Sequence, residues 1–86
     1  MTGKTTQQML DAPTDSYYIW PVSQTMPYAI RLARDLGRTD LKIRPLSSLP
    51  SIRYRGKRLG GVVVDHACWP TQEQQEIISH MKKRVF

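Results

Sequence analysis

The sequence predicts a small α/β domain with a short, mostly parallel sheet of about three strands and two to three helices. Runs of strand-forming residues alternate with segments whose apolar residues recur every three to four positions, which is typical of folds with a parallel sheet. Val62–Val64 is an unbroken apolar run, as expected of a parallel strand covered on both faces. We therefore expect this strand to lie at the centre of a two-layer or three-layer domain.

Size and charge limit the classes of protein to which the chain can belong. It has 86 residues, a net charge of +6 and one cysteine, Cys68, so we expect a single domain over residues 1–86, with 1–16 as a candidate flexible start. One cysteine forms no internal disulfide, and no apolar run approaches the roughly 18 residues that span a membrane. These features predict a cytoplasmic protein without a membrane partner, whose charge attracts polyanions without proving that it binds nucleic acid.

The first helix is predicted from Gly3-Lys4-Thr5-Thr6, which has the form of the end of a phosphate-binding loop. In such a loop, backbone N–H groups at a helix N-terminus bind phosphate oxygens, the lysine neutralises them and a hydroxyl reaches the metal. The full motif has another glycine five residues earlier, after a strand, and neither precedes Gly3 here. Taken alone, the tetrapeptide is better explained as a flexible start.

A strand and a helix are predicted next. Tyr17–Trp20 is a run of strong strand formers that ends at Pro21. Pro27 suits the first turn of a helix, and Gly37 suits its C-terminal end. Residues at helical spacing predict the buried side of this helix: Met26, Ile30, Ala33 and Leu36 or Gly37.

The second strand and the last helix also have local signals. Leu41–Arg44 alternates apolar and basic residues, which predicts a strand with one solvated face, and Pro45 places it towards the edge of the sheet. Thr71 and Gln74 have the spacing of a capping box at a helix start. The apolar positions of that last helix are Ile77, Ile78, Met81 and Val85.

Two groups of basic residues are candidates for phosphate contacts. The first follows Pro27 and consists of Arg31, Arg34 and Arg38, for which a solvated helix face is the simpler interpretation. The second interleaves four cations with an aromatic ring: Arg53, Tyr54, Arg55, Lys57 and Arg58. That pattern is typical of nucleic-acid binding, although the same residues also suit a hairpin that turns at Gly56-Lys57.

Asp65 stands directly after the valine strand, and the carboxyl ends of strands are where ligands bind in open α/β sheets. On the local pattern alone, a turn cap before Pro70 is the commoner role for such an aspartate. His66 and Cys68 add two side chains that can ligate metals, but two ligands do not make a structural zinc site. We therefore predict no metal site at these residues.

The order and spacing of these motifs resemble the N-terminal half of a P-loop NTPase of the helicase and terminase kind. In that family GKT[TS] opens the first helix, a strand with a WP-like end follows, and RGxRxxGVVVDxA carries the Walker B aspartate. The matching pieces here are Gly3–Thr6, Tyr17–Pro21, Leu41–Leu49 and Arg55–Ala67. They cover nearly the whole chain, although each piece is short.

The resemblance implies a nucleotide-binding set made of Gly3, Lys4, Thr5 and Asp65. Lys4 would bind phosphate, Thr5 and Asp65 would hold Mg²⁺, and Mg-ATP would be the ligand. The chain departs from the family at His66, where a glutamate usually activates water, and in the missing first glycine. Because hydrolysis needs the whole constellation, we expect no efficient ATPase from this chain alone.

Three functions stay open, in this order of preference. The first is a small non-catalytic P-loop-like accessory protein, of the kind that phages and mobile elements encode, which binds a host protein; an exposed sheet edge would also permit a homo-oligomer. The second is a basic nucleic-acid-binding module with steeply salt-dependent affinity. The third is an ATP-binding domain with a truncated phosphate loop and a Walker B aspartate.

Overall fold

The computed structural model describes residues 3–51 and 60–83, which form three α-helices, three β-strands and two short 3₁₀ helices. The helices are α1 (Gly3–Asp11), α2 (Met26–Asp35) and α3 (Gln72–Lys82), and the strands are β1 (Tyr17–Trp20), β2 (Lys42–Pro45) and β3 (Val62–Val64). The strands form one parallel sheet in the order β2-β1-β3. The predicted small α/β domain is confirmed.

The middle strand of the described sheet is β1, and the expectation that the valine strand is central is wrong for these residues. All four residues of β1 are buried, whereas the three valines of β3 are half-buried. The large side chains of β1 fill the space on both faces of the sheet. The three valines of β3 are smaller and lie in an edge strand, so they fill less of this space. The predicted edge position of β2 is confirmed.

Side chains of β1 alternate between two apolar cores, because successive residues of a strand point to opposite faces of a sheet. Tyr18 and Trp20 pack in one core with residues in or next to α1, α2 and β2: Met9, Ala12, Ala29, Ala33, Leu41 and Ile43. Tyr17 and Ile19 pack in the other with α3 and the 3₁₀ helix Leu46–Ser51: Leu46, Leu49, Ile78 and Met81. The domain therefore has three layers, with helices on both faces.

The predicted helix ends agree with the structure. On the predicted buried side of α2, Met26, Ala33 and Leu36 lie in or against the core, but Ile30 does not. Gly37 has a φ of 76° and ends α2, while Thr71 and Gln74 form the predicted capping box of α3. The core of α2 contains Ala29 and Ala33, whereas Ile30 is 44% exposed. Small alanine side chains let α2 approach the large aromatic residues of β1 closely, which a stripe of larger residues would prevent.

Arg38 does not belong to a solvated basic face, and this corrects its grouping with Arg31 and Arg34. Its guanidinium donates hydrogen bonds to the carbonyls of Met9 (2.6 Å), Leu10 (3.2 Å) and Pro13 (3.2 Å). It also pairs with the Asp40 carboxylate at 3.1 Å. Arg38 thus satisfies carbonyls at the C-terminal end of α1, which a helix leaves without intrahelical partners.

The segment treated above as a candidate flexible start contains this helix, and its Met9 is completely buried.

Candidate functional site

The Asp65 carboxylate is the best-connected polar group at the carboxyl edge of the sheet. It is only 2% exposed. Its Oδ1 accepts hydrogen bonds from the Tyr18 hydroxyl (2.6 Å) and the Thr5 hydroxyl (3.1 Å), and its Oδ2 accepts one from the backbone N–H of Ala67 (3.1 Å). A buried carboxylate is tolerated where donors of this kind surround it. Asp65 thereby links α1, β1 and the loop that follows β3.

Local sequence explains how these groups meet. Because β1 and β3 are neighbouring parallel strands, their carboxyl ends lie at the same edge of the sheet. The Asp65 N–H continues the ladder to the Ile19 carbonyl at 3.0 Å, and the Asp65 carbonyl accepts from the Cys68 N–H at 2.9 Å. The last bond closes a turn, and the bond from the Ala67 N–H to the Asp65 carboxylate caps it, so Asp65 does have the turn-capping role that its local pattern suggests.

The first turn of α1 approaches Asp65 from one side. Thr5, one residue after Lys4, donates to the Asp65 carboxylate, and the same hydroxyl lies 3.1 Å from Nε2 of His66. A hydroxyl has one proton to donate. When Thr5 gives that proton to Asp65, Nε2 of His66 is the donor to Thr5. The side chains then form one chain of hydrogen bonds from His66 through Thr5 to Asp65.

Gln8, one turn further along α1, fastens the helix to the end of β3. Its side-chain amide donates to the Val64 carbonyl at 3.1 Å, and its Oε1 accepts from the His66 N–H at 2.8 Å. Val64 is the last residue of β3 and His66 lies beyond the strand, and both backbone groups need a hydrogen-bond partner or water. Thr5 and Gln8 therefore hold α1 against the β3 end by four side-chain hydrogen bonds to Asp65, Val64 and His66.

Burial and the nearby Asp65 carboxylate raise the pKa values of two side chains, Tyr18 and Cys68. Burial raises the pKa of Tyr18 far above its ordinary value, and the hydrogen bond to Asp65 adds to the effect, so Tyr18 remains a donor over the whole physiological range. Burial, with the nearby Asp65 carboxylate, raises the pKa of the Cys68 thiol to about 11. The Cys68 thiol therefore stays neutral, which does not favour metal ligation or nucleophilic chemistry.

The geometry limits what this site can do chemically. Three of the roughly four acceptor positions of the Asp65 carboxylate already have protein donors. Within residues 3–51 and 60–83, no group of three or more His, Cys, Asp or Glu side chains is placed to hold a metal ion. Direct coordination of Mg²⁺ by Asp65 would have to use the one remaining acceptor position of a carboxylate that is only 2% exposed. The hydrogen bonds of Asp65 therefore form a structural junction that joins α1, β1 and the loop after β3. The exposed residues Gly3 and Lys4 lie at the start of α1, next to this junction.

The predicted nucleotide-binding residues fall into two groups in the structure. Thr5 and Asp65 are in contact, although they are 60 positions apart in the sequence. Gly3 and Lys4 are exposed at the start of α1, and no carboxylate of the described chain is paired with Lys4. The first group thus supports the fold, and the second lies on the surface next to it.

The predicted nucleic-acid-binding residues Arg53, Tyr54, Arg55, Lys57 and Arg58 lie outside the residues that the structure describes. Sequence reasoning missed two members of the site, Tyr18 and Gln8. A tyrosine within an otherwise apolar strand was the available signal for Tyr18, because a buried tyrosine hydroxyl usually needs a partner. Nothing in the sequence distinguishes Gln8 from its neighbour Gln7.

The fold and site together define a small three-layer α/β domain with a polar junction at the carboxyl edge of its parallel sheet. No protein-family model matches the chain, and neither the curated proteins nor the solved structures contain a significant match to it. The P-loop resemblance therefore remains a hypothesis. In the part of the chain that the structure describes, no helix has the length and apolar character to cross a membrane.

Proposed function

We propose that this chain is a non-catalytic P-loop-like domain that binds a protein partner at the carboxyl edge of its sheet. The observation that carries the proposal is the exposure of Trp69, which reaches 89%. Trp69 lies in the loop that begins with the buried Asp65. Tryptophan is usually well covered in a folded domain, and it is among the residues that contribute most to protein–protein interfaces.

Other apolar side chains are exposed near the ends of the same strands. Val22 follows β1 and is exposed, and Tyr28 in the first turn of α2 is 61% exposed. Because β1 and β3 are parallel neighbours, the segments that follow them emerge at one edge of the sheet. Exposed apolar residues that follow the ends of neighbouring strands support an interaction surface at this edge. We call the set of Val22, Tyr28 and Trp69 the carboxyl-edge surface.

We infer a non-catalytic role from two residues, Asp65 and His66. The Asp65 carboxylate is buried and bound to three donors, and the next residue is a histidine in place of the water-activating glutamate implied by the resemblance. A phosphoryl-transfer enzyme works by positioning metal, phosphate and water together. The described residues instead use the corresponding aspartate to join elements of the fold.

The experiment places a photo-crosslinking amino acid at position 22, which belongs with Trp69 to the carboxyl-edge surface, and, as a matched control, at position 10. Leu10 is exposed on α1 but lies at the end of the helix away from Thr5. The proposal expects one protein to be crosslinked from position 22 and not from position 10, and expects Trp69→Ala, introduced into the position-22 protein, to lose it without a change in thermal stability. Equal crosslinking at both positions, or capture that survives Trp69→Ala, would contradict the proposal. Crosslinking to a second copy of the chain would identify a homo-oligomer.

A second candidate function is binding of Mg-ATP, which is favoured by the Thr5–Asp65 contact and the exposed Lys4 beside it. Calorimetric titration of Mg-ATP into the wild type and into Lys4→Ala tests it, with Arg31→Ala as the control for lost charge. Heat of binding that Lys4→Ala abolishes and Arg31→Ala retains would favour this candidate. No heat with any of the three proteins would eliminate it.

A further inference from the structure

A groove between α2 and β2 shares no lining residue with the carboxyl-edge surface. It has a volume of about 270 Å³ and is lined by Ile30, Ala33, Arg34, Arg38, Thr39, Leu41, Ile43 and Arg44. This volume is just below the roughly 300–1,000 Å³ of typical small-molecule pockets. It suits one or two side chains of a larger partner better than a whole small ligand.

The apolar side chains of the groove are aliphatic. Leu41 and Ile43 are buried members of the core, while Ile30 is 44% exposed at the same site. Covering an exposed isoleucine with another apolar side chain is favourable, at roughly 25 cal/mol for each Å² removed from water. None of the lining residues is aromatic, so the groove offers no ring on which a nucleic-acid base could stack.

The charged residues of the groove are arginines. Arg38 is already paired with Asp40. Arg34 and Arg44 are exposed, and neither forms an ion pair with a carboxylate of the described residues. The Arg44 guanidinium donates only to the carbonyl of its neighbour Ile43, at 2.9 Å, among those residues. Two arginines beside an aliphatic floor are complementary to carboxylates that flank an aliphatic side chain.

We propose that this groove, which we call the α2–β2 groove, binds an acidic segment of a protein partner. An aliphatic side chain of the segment lies against Ile30, Leu41 and Ile43, and neighbouring Asp or Glu carboxylates pair with Arg34 and Arg44. This site is separate from the carboxyl-edge surface and does not depend on Trp69. The two proposals therefore fail independently.

The test is selection of a random peptide library on the immobilised wild-type chain, followed by affinity measurements on the selected peptides by fluorescence polarisation. The variants are Arg34→Gln with Arg44→Gln, and Arg31→Gln as the matched control, because Arg31 is exposed on α2 but does not line the groove. A charge-retaining variant, Arg34→Lys with Arg44→Lys, separates loss of the paired geometry from loss of charge. Thermal unfolding of each variant checks that the fold is retained.

The proposal expects selected sequences that combine Asp or Glu with Leu, Ile or Val. It expects the double glutamine variant to bind them at least about tenfold more weakly, which corresponds to about 1.4 kcal/mol, and Arg31→Gln to bind them like the wild type. Failure to select acidic aliphatic sequences would overturn the proposal, as would equal loss in Arg31→Gln. Binding of an oligo-thymidine strand that depends on Arg34 and Arg44, with no peptide selected, would reassign the groove to nucleic acid.

Discussion

The Tyr18 hydroxyl donates a 2.6 Å hydrogen bond to the Asp65 carboxylate, which joins the middle strand of the sheet to the residue that follows β3. The two residues are 47 positions apart, so the bond forms only when β1 and β3 are paired. Tyr18 itself is completely buried. Its hydroxyl donates a hydrogen bond to the buried carboxylate. Most other residues of an apolar strand have no side-chain donor for this purpose.

We predict that Tyr18→Phe lowers the free energy of unfolding by about 1–3 kcal/mol, because the buried Asp65 carboxylate loses a donor while the ring is retained. Urea unfolding followed by circular dichroism measures the change. Tyr28→Phe is the matched control, since the Tyr28 ring is largely exposed, and it should leave stability unchanged. Equal effects of the two substitutions would show that the Tyr18–Asp65 bond does not stabilise the fold.

Arg38→Lys should destabilise the domain by about 1–3 kcal/mol even though the charge is kept. A lysine cannot reproduce the planar set of donors that Arg38 directs to Met9, Leu10, Pro13 and Asp40. For a domain of this size each kcal/mol lowers the melting temperature by roughly 4–8 °C. Thermal unfolding should show this loss for Arg38→Lys and none for Arg31→Lys, whose arginine is exposed on α2. A melting temperature unchanged by Arg38→Lys would contradict the role assigned to this residue.

Gly60→Ala should prevent stable folding, whereas Gly3→Ala should be tolerated. A Cβ at Gly60 would lie 2.0 Å from the Thr14 carbonyl oxygen and 2.9 Å from the Asp15 carbonyl carbon, so the backbone would have to move. A Cβ at Gly3 meets no atom within 4 Å. Comparison of soluble yield and melting temperature for the two variants checks the prediction. A stable Gly60→Ala protein would mean that the segment before β3 does not pack against Thr14 and Asp15 as closely as these distances indicate.

Stability should fall as the pH is lowered below about 4, and Asp40 should contribute to that loss. Hydrogen bonds from Arg38 and from the Asp15 N–H hold the pKa of Asp40 well below its usual value. A carboxyl with a depressed folded-state pKa stabilises the fold above its unfolded pKa, near 3.8, and this contribution is lost as the pH falls towards the folded value. Asp40→Asn should flatten the fall in melting temperature between pH 5 and pH 2. An equally steep fall in the variant would assign the acid sensitivity to other groups.

The sequence predicted the outline of the fold because its signals were local. Pro45 indicated an edge strand, Gly37 a helix end and Thr71 with Gln74 a capping box, and each depends on backbone geometry within a few residues. The middle position of β1 was not local in this sense. The order of strands in a sheet depends on which strand pairs with which. A run of valines indicates that both faces of a strand are covered by other residues, but it does not indicate which strands lie on either side.

The site could be predicted only in part for a related reason. Asp65 was recognisable because it stands at a strand end, and Thr5 because it follows a glycine and a lysine. Their contact was implied by a family resemblance and not by either local pattern. Tyr18, Gln8 and Arg38 act through hydrogen bonds to residues far away in the sequence, and an isolated tyrosine, glutamine or arginine has no pattern that reveals its partner.

The measurement that tests the account most directly is the urea unfolding of the wild type and of Asp65→Asn, each with and without millimolar Mg²⁺. If Asp65 is a structural acceptor, the substitution should cost about 1–3 kcal/mol, because its amide N–H₂ cannot accept from the surrounding donors, and Mg²⁺ should stabilise neither protein. Stabilisation of the wild type by Mg²⁺ that disappears in Asp65→Asn would contradict the account. That result would make the junction of Thr5 and Asp65 a metal site and favour nucleotide binding over a purely structural role. Should the variant be too unstable to measure, the response of the wild type to Mg²⁺ alone decides between the two.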